Sequence, residues 1–398
     1  MASGGRTGLG TNQENVRRHN LGTALGHVHV DGHVSRAELT SRMGLNRSTI
    51  AGLVSELESL GLAEQGKTQK ARVGAGRPSV DVSAGSGAHV LAVDVRVDGL
   101  AVARVGLGGV VLARASGPPA AGHDPAATAD SVADLARLVL KDAPSNARLV
   151  GVGVGVPGMI RVSDGVVRLA PNLDWHDVPF AQMLAERLDL PHLPVLANDA
   201  DLGALAEHIR GAAVDVDDLV YLSGEIGVGA GVILGGAPLT GAGGYAGEIG
   251  HVPFQPEGLV CHCGARGCWE TVVGGHAIAE AIGCPPERIT SLGEALDAVE
   301  EVSPALLEVA RQLGRGLAGV VNLVNPRIII LGGFLRSLLP LVEDEVNAAL
   351  IEQALPAPRA QVRLALPGLG GDSVLVGAAE LAFADLMLDP VSRLGSAS

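Results

Sequence analysis

Apolar and polar positions follow two different periods along this chain. From Asn15 to Val28 the apolar residues Val16, Leu21, Leu25 and Val28 suggest a first helix. Ser35 and Glu38 then have capping-box spacing, and Val34 can staple onto Leu39, so a second helix starts here and ends near Met43-Gly44. A third starts behind Asn46, with Leu45 placed to staple onto Ile50; Ile50, Leu53, Val54, Leu57 and Leu60 form one apolar stripe. Two short capped helices joined by a glycine-containing turn read as a helix-turn-helix. Residues 63–82 read as two short strands around Gln65 to Ala75, a wing closed by Gly76-Arg77-Pro78.

From His89 the period shortens. Val90–Val95, Leu100–Val105 and Val110–Ala115 read as antiparallel strands, Ala126–Lys141 as an amphipathic helix and Leu149–Val154 as a buried strand. Two short strands flank Asp164-Gly165, Phe180–Asp189 is helical, and a strand from Val195 delivers Asn198-Asp199-Ala200. A Gly-rich hairpin at 219–235, a helix at 303–324, a strand from Arg327 to Leu331 and a last helix from Ser373 to Leu388 complete the pattern. The domains expected are a disordered 1–10, a winged helix-turn-helix at 11–82, a linker at 83–88, then a body whose element order resembles the two lobes of the actin-like kinase fold, a small lobe at 89–200 joined by helix 373–388 and a large lobe at 201–372, and a disordered tail at 389–398. No internal repeat is visible.

Composition narrows the class. The chain has 398 residues, 47% hydrophobic but only 2% aromatic, so its core is built from Val, Leu, Ile and Ala. No apolar run reaches the ~18 residues of a membrane span, and the first residues carry no apolar signal segment. Three clustered cysteines then fit a reducing cytoplasm and a metal better than disulfides. Cys284 stands alone and reads as a small buried hydrophobe. Residues 1–82 hold 10 basic against 7 acidic residues and the rest 19 against 36. A basic end on an acidic body points to nucleic acid contact through that end. The outer face of the third helix carries Arg47, Ser48, Thr49, Gly52 and Ser55, small or basic residues that let a helix approach base edges. In the wing, Lys67, Lys70, Arg72 and Arg77 are candidates for phosphate or minor-groove contact.

The chemistry concentrates between Tyr245 and Glu270. Cys261, Cys263 and Cys268 with His251 form a set of three soft sulfurs and one imidazole, sufficient for a closed tetrahedral zinc site of structural type. Gly264 and Gly267 supply the tight turns. The alternative is three buried thiols and an unrelated histidine. Glu248, three residues before His251, and Glu270, just past Cys268, would be held by such a site and become fixed acceptors for hydroxyl groups.

Gly247-Glu248-Ile249-Gly250-His251, followed by Cys261-His262-Cys263-Gly264 and Gly267-Cys268-Trp269-Glu270, resembles the zinc and sugar-binding segment of the ROK family, which contains sugar kinases and sugar-responsive repressors. The front of the chain, from Arg17-Arg18-His19-Asn20 through Ser35–Leu39 to Gly76-Arg77-Pro78, resembles the winged helix of the family's repressors, which its kinases generally lack. The resemblance implies an α/β actin-like, ribonuclease H-like body of two lobes behind an α-helical winged helix-turn-helix domain. It also implies a sugar site made by Asn198, Asp199, Glu248, His251 and Glu270, with Asn172 in the family's Pro-Asn-Leu segment. Asp199 matches the kinases' catalytic base; taken without the family, it reads equally as a helix N-cap. Asp174 stands where the family usually has glycine.

The phosphate loops depart from the kinase pattern. Kinases of the family read Asp-x-Gly-Gly-Thr in the first; here it is Asp94-Val95-Arg96-Val97-Asp98. The second loop keeps Gly227, Gly229 and Gly231 but has Ile226 where kinases carry threonine; the third, at Gly332-Gly333, is intact. The expectation is therefore a cytoplasmic regulator, a repressor of double-stranded DNA operators, that binds a sugar, holds a structural zinc and forms an even homo-oligomer. A sugar kinase with an appended DNA-binding domain is the alternative, and a ligand-free DNA-binding scaffold follows if Asp174 closes the pocket.

Overall fold

The computed structural model describes residues 13–67 and 80–394, so the expectations for residues 1–10, Lys70, Arg72 and Arg77 lie outside the described residues. Helix α1 (Gln13–Asp31) buries Leu21, Leu25 and Val28. After β1 (His33–Ser35), helix α2 (Arg36–Met43) starts on the expected capping box: Ser35 Oγ accepts the Glu38 N–H, and the Glu38 carboxylate accepts the Ser35 N–H at 2.9 Å. Gly44 ends it at φ 64, a left-handed conformation that costs glycine little. Helix α3 (Arg47–Ser59) is capped by Asn46, whose Oδ1 accepts the Thr49 N–H at 2.8 Å. Strands β2 (Ala63–Lys67) and β3 (Val80–Ala84) pair antiparallel, with β1 on the other edge of β3. The second strand of the wing thus lies later than Ala75. Much of the expected linker is ordered backbone, because Ser83 and Ala84 belong to β3 and Ala88 opens β4.

The body begins with β4 (Ala88–Val95), β5 (Leu100–Gly106), β6 (Val110–Gly117), α4 (Pro125–Leu140) and β7 (Arg148–Val156). A small antiparallel sheet of β8 (Met159–Arg161), β9 (Val166–Ala170) and β10 (Trp175–Val178) follows, then α5 (Phe180–Leu188), β11 (Val195–Asn198) and α6 (Asp199–Arg210). The second lobe holds β12 (Leu219–Gly224), β13 (Val228–Leu234), β14 (Ala237–Pro238), α7 (Glu270–Val273), α8 (Gly275–Ile282), α9 (Leu292–Asp297), α10 (Pro304–Val324), β15 (Ile328–Gly333), α11 (Leu335–Gln353), α12 (Pro356–Arg359) and β16 (Arg363–Ala365). Helices α13 (Ser373–Leu388) and α14 (Pro390–Leu394) close the chain. The expected disordered tail at 389–398 is corrected over Pro390–Leu394, while residues 395–398 lie outside the described residues: α14 buries Leu394, and Arg393 Nε donates to Val150 O at 3.1 Å.

The two large sheets share one plan. Their orders are β11-β7-β4-β5-β6 and β14-β13-β12-β15-β16. In each, the first strand is central, an antiparallel hairpin lies on one side, and parallel strands lie on the other. Strands β4 and β5 are buried at every residue, which explains their continuous apolar runs. The N-terminal unit does not stand apart. Leu21, Leu25, Ile50, Val54 and Leu57 share one apolar core with Val90, Ala92, Leu202 and Phe383 of the body.

Candidate functional site

The turns that end the two central strands line one cavity of about 460 Å³. β4 contributes Asp94 and leads into Arg96 and Asp98; β12 leads into Glu225; Gly333 and Phe334 come from the end of β15. Arg96 Nε donates to Asp98 Oδ1 at 2.9 Å, and its Nη1 lies 3.8 Å from Asp94 Oδ2. Burial pushes the Asp94 carboxyl up to about 7, against the pull of Arg96. Glu225 rises to about 8 through enclosure and then the charges of Asp199, Asp94 and Asp98. Glu225 was missed in the sequence, although a carboxylate inside the Gly224–Gly231 hairpin is itself a signal.

A second, smaller cavity of about 80 Å³ brings together all five residues expected at the sugar site, Asn198, Asp199, Glu248, His251 and Glu270. Asn172, Ser223, Glu225 and His262 are among the other residues that line it. Asp199 is the first residue of α6 and lines both cavities. Burial pushes it up to about 6, eased by the N–H groups of Ala200 and of Asp199 itself. Asn198 is largely committed to the scaffold: its Oδ1 accepts the Ala200 N–H at 2.8 Å and its Nδ2 donates to Gly158 O at 3.0 Å. It caps the helix and sets the position of Asp199. Burial also raises Glu248, with His251 pulling it down and Glu270 pushing it up. Glu270 Oε2 accepts the Val228 N–H at 2.9 Å. Several held carboxylates and an imidazole around a small polar space offer acceptors for a polyhydroxyl ligand. Asp174 is exposed, at φ 55, and adopts the left-handed conformation that glycine takes without strain; it lines neither cavity.

Beside this cavity the side chains of His251, Cys261, Cys263 and Cys268 converge, one donor atom from each lying within 4.8 Å of all the others. Cys263 and Cys268 sulfurs are 3.7 Å apart, and Cys261 Sγ is 3.5 Å from His251 Nδ1. A tetrahedron with Zn–S of about 2.3 Å and Zn–N of about 2.0–2.1 Å has edges of about 3.5–3.8 Å. The four residues therefore fit a metal ion. Burial raises the thiols of Cys261 and Cys268, a cost that a bound dication reverses. His262 is exposed and outside this set. Cys284, expected buried, is only partly covered.

At the other end, Arg47, Ser48, Gly52 and Ser55 are exposed along α3, Thr49 is partly so, and Ile50, Leu53, Val54 and Leu57 are buried behind them. The hydroxyls of Ser48 and Thr49 turn toward Asn46 Oδ1, at 2.7 and 3.0 Å. Lys67 ends β2.

A sequence model of the ROK family matches residues 90–385. The xylose repressor of Caldicellulosiruptor bescii is 28% identical over 90% of this chain and 93% of its own length. Among solved structures, a ROK family transcriptional regulator described as a homolog of the E. coli MLC protein superposes with a TM-score of 0.75 at 25% identity, covering 96% of this chain and 99% of that one. A ROK family glucokinase from Streptomyces griseus, solved with glucose and AMPPNP, gives 0.62 at 28% identity over 74% of this chain and 99% of its own.

Proposed function

The chain belongs to the ROK family, and we propose that within it this protein is a sugar-responsive transcriptional repressor that does not phosphorylate its sugar. The single observation that carries this reading is the Arg96–Asp98 pair set into the first hairpin, in a chain that also bears a capped helix-turn-helix. An ATP phosphate needs backbone N–H groups free of side chains there; Arg96 and Val97 fill that space, and Asp98 repels the charge. Repressor relatives that match nearly the whole chain support the same reading.

In this reading residues 11–82 bind a DNA operator through Arg47, Ser48, Thr49, Gly52 and Ser55, with Lys67, Lys70 and Arg77 on phosphates or in a minor groove. The sugar sits between the lobes on Asn198, Asp199, Glu248, His251 and Glu270. His251, Cys261, Cys263 and Cys268 hold a zinc ion whose role is to fix Glu248 and Glu270. The working form is an even homo-oligomer in the cytoplasm; among the described residues no helix is long and apolar enough to cross a membrane.

One observation favours the second reading, a sugar kinase. Asp199 lines both cavities with its carboxyl near 6, as a general base would. A thermal-shift screen against monosaccharides, followed by fluorescence anisotropy on an operator duplex selected from random DNA, separates the readings. A sugar at 100 times its dissociation constant adds about 2.7 kcal/mol of stability. A saturating sugar that leaves operator affinity unchanged removes the sensor.

A further inference from the structure

Helix α6 joins the sugar cavity to the DNA-reading unit. Its first residue, Asp199, lines that cavity, and its last, Arg210, reaches α1. The helix has 12 residues and so spans about 18 Å. It is interlocked along this length. A Cβ on Gly377 of α13 would lie 2.0 Å from Leu202 O, and one on Gly231 of β13 would lie 2.2 Å from Ala200 O. Backbones this close do not slide independently, so a displacement at Asp199 travels along α6 as a rigid body.

At the far end Arg210 makes an unusually complete set of bonds. Its Nε donates to Glu380 Oε1 at 2.6 Å. Nη1 donates to Val30 O and Gly108 O at 3.3 and 3.2 Å, and Nη2 donates to His29 O at 3.1 Å. His29 O and Val30 O belong to the last turn of α1, whose carbonyls lack helical partners and favour a cation. The His29 ring is buried against Phe383, accepts the Gly108 N–H on Nδ1 at 3.0 Å, and bonds Glu380 Oε2 through Nε2 at 2.9 Å. Since Nδ1 accepts, Nε2 carries the proton and donates to Glu380, so Arg210 Nη2, 2.9 Å from Nε2, packs against the ring edge without bonding it. Side-chain exposure is 2% for His29, 5% for Glu380 and 14% for Arg210. Charge-assisted bonds in so dry a place hold direction well. α1 in turn carries α3 through their shared core and the Arg17–Glu56 ion pair at 2.6 Å.

We propose that Arg210, Glu380 and His29 form the joint through which occupation of the sugar cavity repositions the DNA-reading helix. This rests on the sensor reading above; the three are positioning residues and touch neither sugar nor DNA. The test uses full-length wild type, Arg210→Lys and Glu380→Gln, with D-xylose and D-glucose as probes and the selected operator duplex. Sugar affinity is read by calorimetry, and operator affinity by anisotropy with and without saturating sugar. Wild type is expected to change operator affinity by about tenfold or more. Both variants should bind the sugar within about twofold of wild type while their operator response falls below about threefold. Arg210→Lys keeps the buried positive charge but lacks the planar fork, so it remains informative if Glu380→Gln does not fold. A wild type that responds, with variants that respond equally, overturns the joint alone. A wild type that responds to neither sugar overturns the sensor reading and the joint with it.

Discussion

Glu270 accepts the Val228 N–H at 2.9 Å through one carboxylate oxygen while the other lies 3.5 Å from the Cys261 sulfur. The cysteine cluster and the Gly-rich hairpin therefore grip one carboxylate from two sides, and that carboxylate lines the smaller cavity. Anything that loosens the cluster loosens this carboxylate, which the proposed function assigns to the sugar.

The first prediction concerns metal. Freshly purified protein should carry about one zinc per chain, and Cys263→Ser should lose it. Because outer partners of a held site commonly matter by about 10–100-fold, sugar affinity should fall at least tenfold in the variant and after chelation. Elemental analysis finding less than half an equivalent in unchelated protein contradicts the assignment.

The sugar site is tested by Asp199→Ala and Glu248→Ala. A buried hydroxyl left without its acceptor costs about 1–3 kcal/mol, so each change should weaken binding by about 5- to 150-fold. Both variants remaining within twofold of wild type would place the ligand elsewhere.

The cleft carboxylates make stability depend on pH. Asp94 is raised to about 7, first by burial, against an ordinary 3.8. The folded state therefore favours the protonated form. Its contribution is fully present below pH about 4 and is lost as pH rises through about 7. Asp94→Asn removes this loss, so the melting temperature of the variant minus that of wild type should grow from pH 4 to about pH 7 and level off above it. A flat difference over that range rules out the raised carboxyl.

With ATP, no common monosaccharide should be phosphorylated at a useful rate. Ordinary enzymes turn over at about 1 per second or faster. A coupled assay reaching that rate, and losing it in Asp199→Asn, would establish the kinase reading.

On DNA, Arg47→Ala and Lys67→Ala should fail differently. Loss of a base contact at Arg47 should cost about 1–3 kcal/mol and relax preference at one position. Loss of a phosphate contact at Lys67 should weaken all sequences alike and reduce the salt slope by about one. Equal effects of Arg47→Ala on operator and random DNA would remove α3 from the major groove.

Local chemistry made part of this protein legible in the sequence. The capping box of Ser35 and Glu38, the Asn46 cap and the cluster of His251, Cys261, Cys263 and Cys268 are short-range patterns; both caps form where the residues place them, and the four side chains converge as a group that could hold a metal. The apolar run Leu149–Val154 of β7 marked a buried strand for the same reason. Long-range arrangement was not legible. Both large sheets follow one strand plan without visible sequence repetition, because backbone hydrogen bonding sets a topology that many apolar sequences satisfy. Residues 390–394 were expected to belong to a disordered tail, yet tertiary packing on the body makes them a helix. Asn198, expected at the sugar site, lines the smaller cavity and also donates to Gly158 O, a partner 40 positions away that only the fold brings near. Arg210, Glu380 and His29 carried no signal at all. They lie up to 351 positions apart, and only the tertiary structure, by burying them together, turns three ordinary polar residues into one bonded unit.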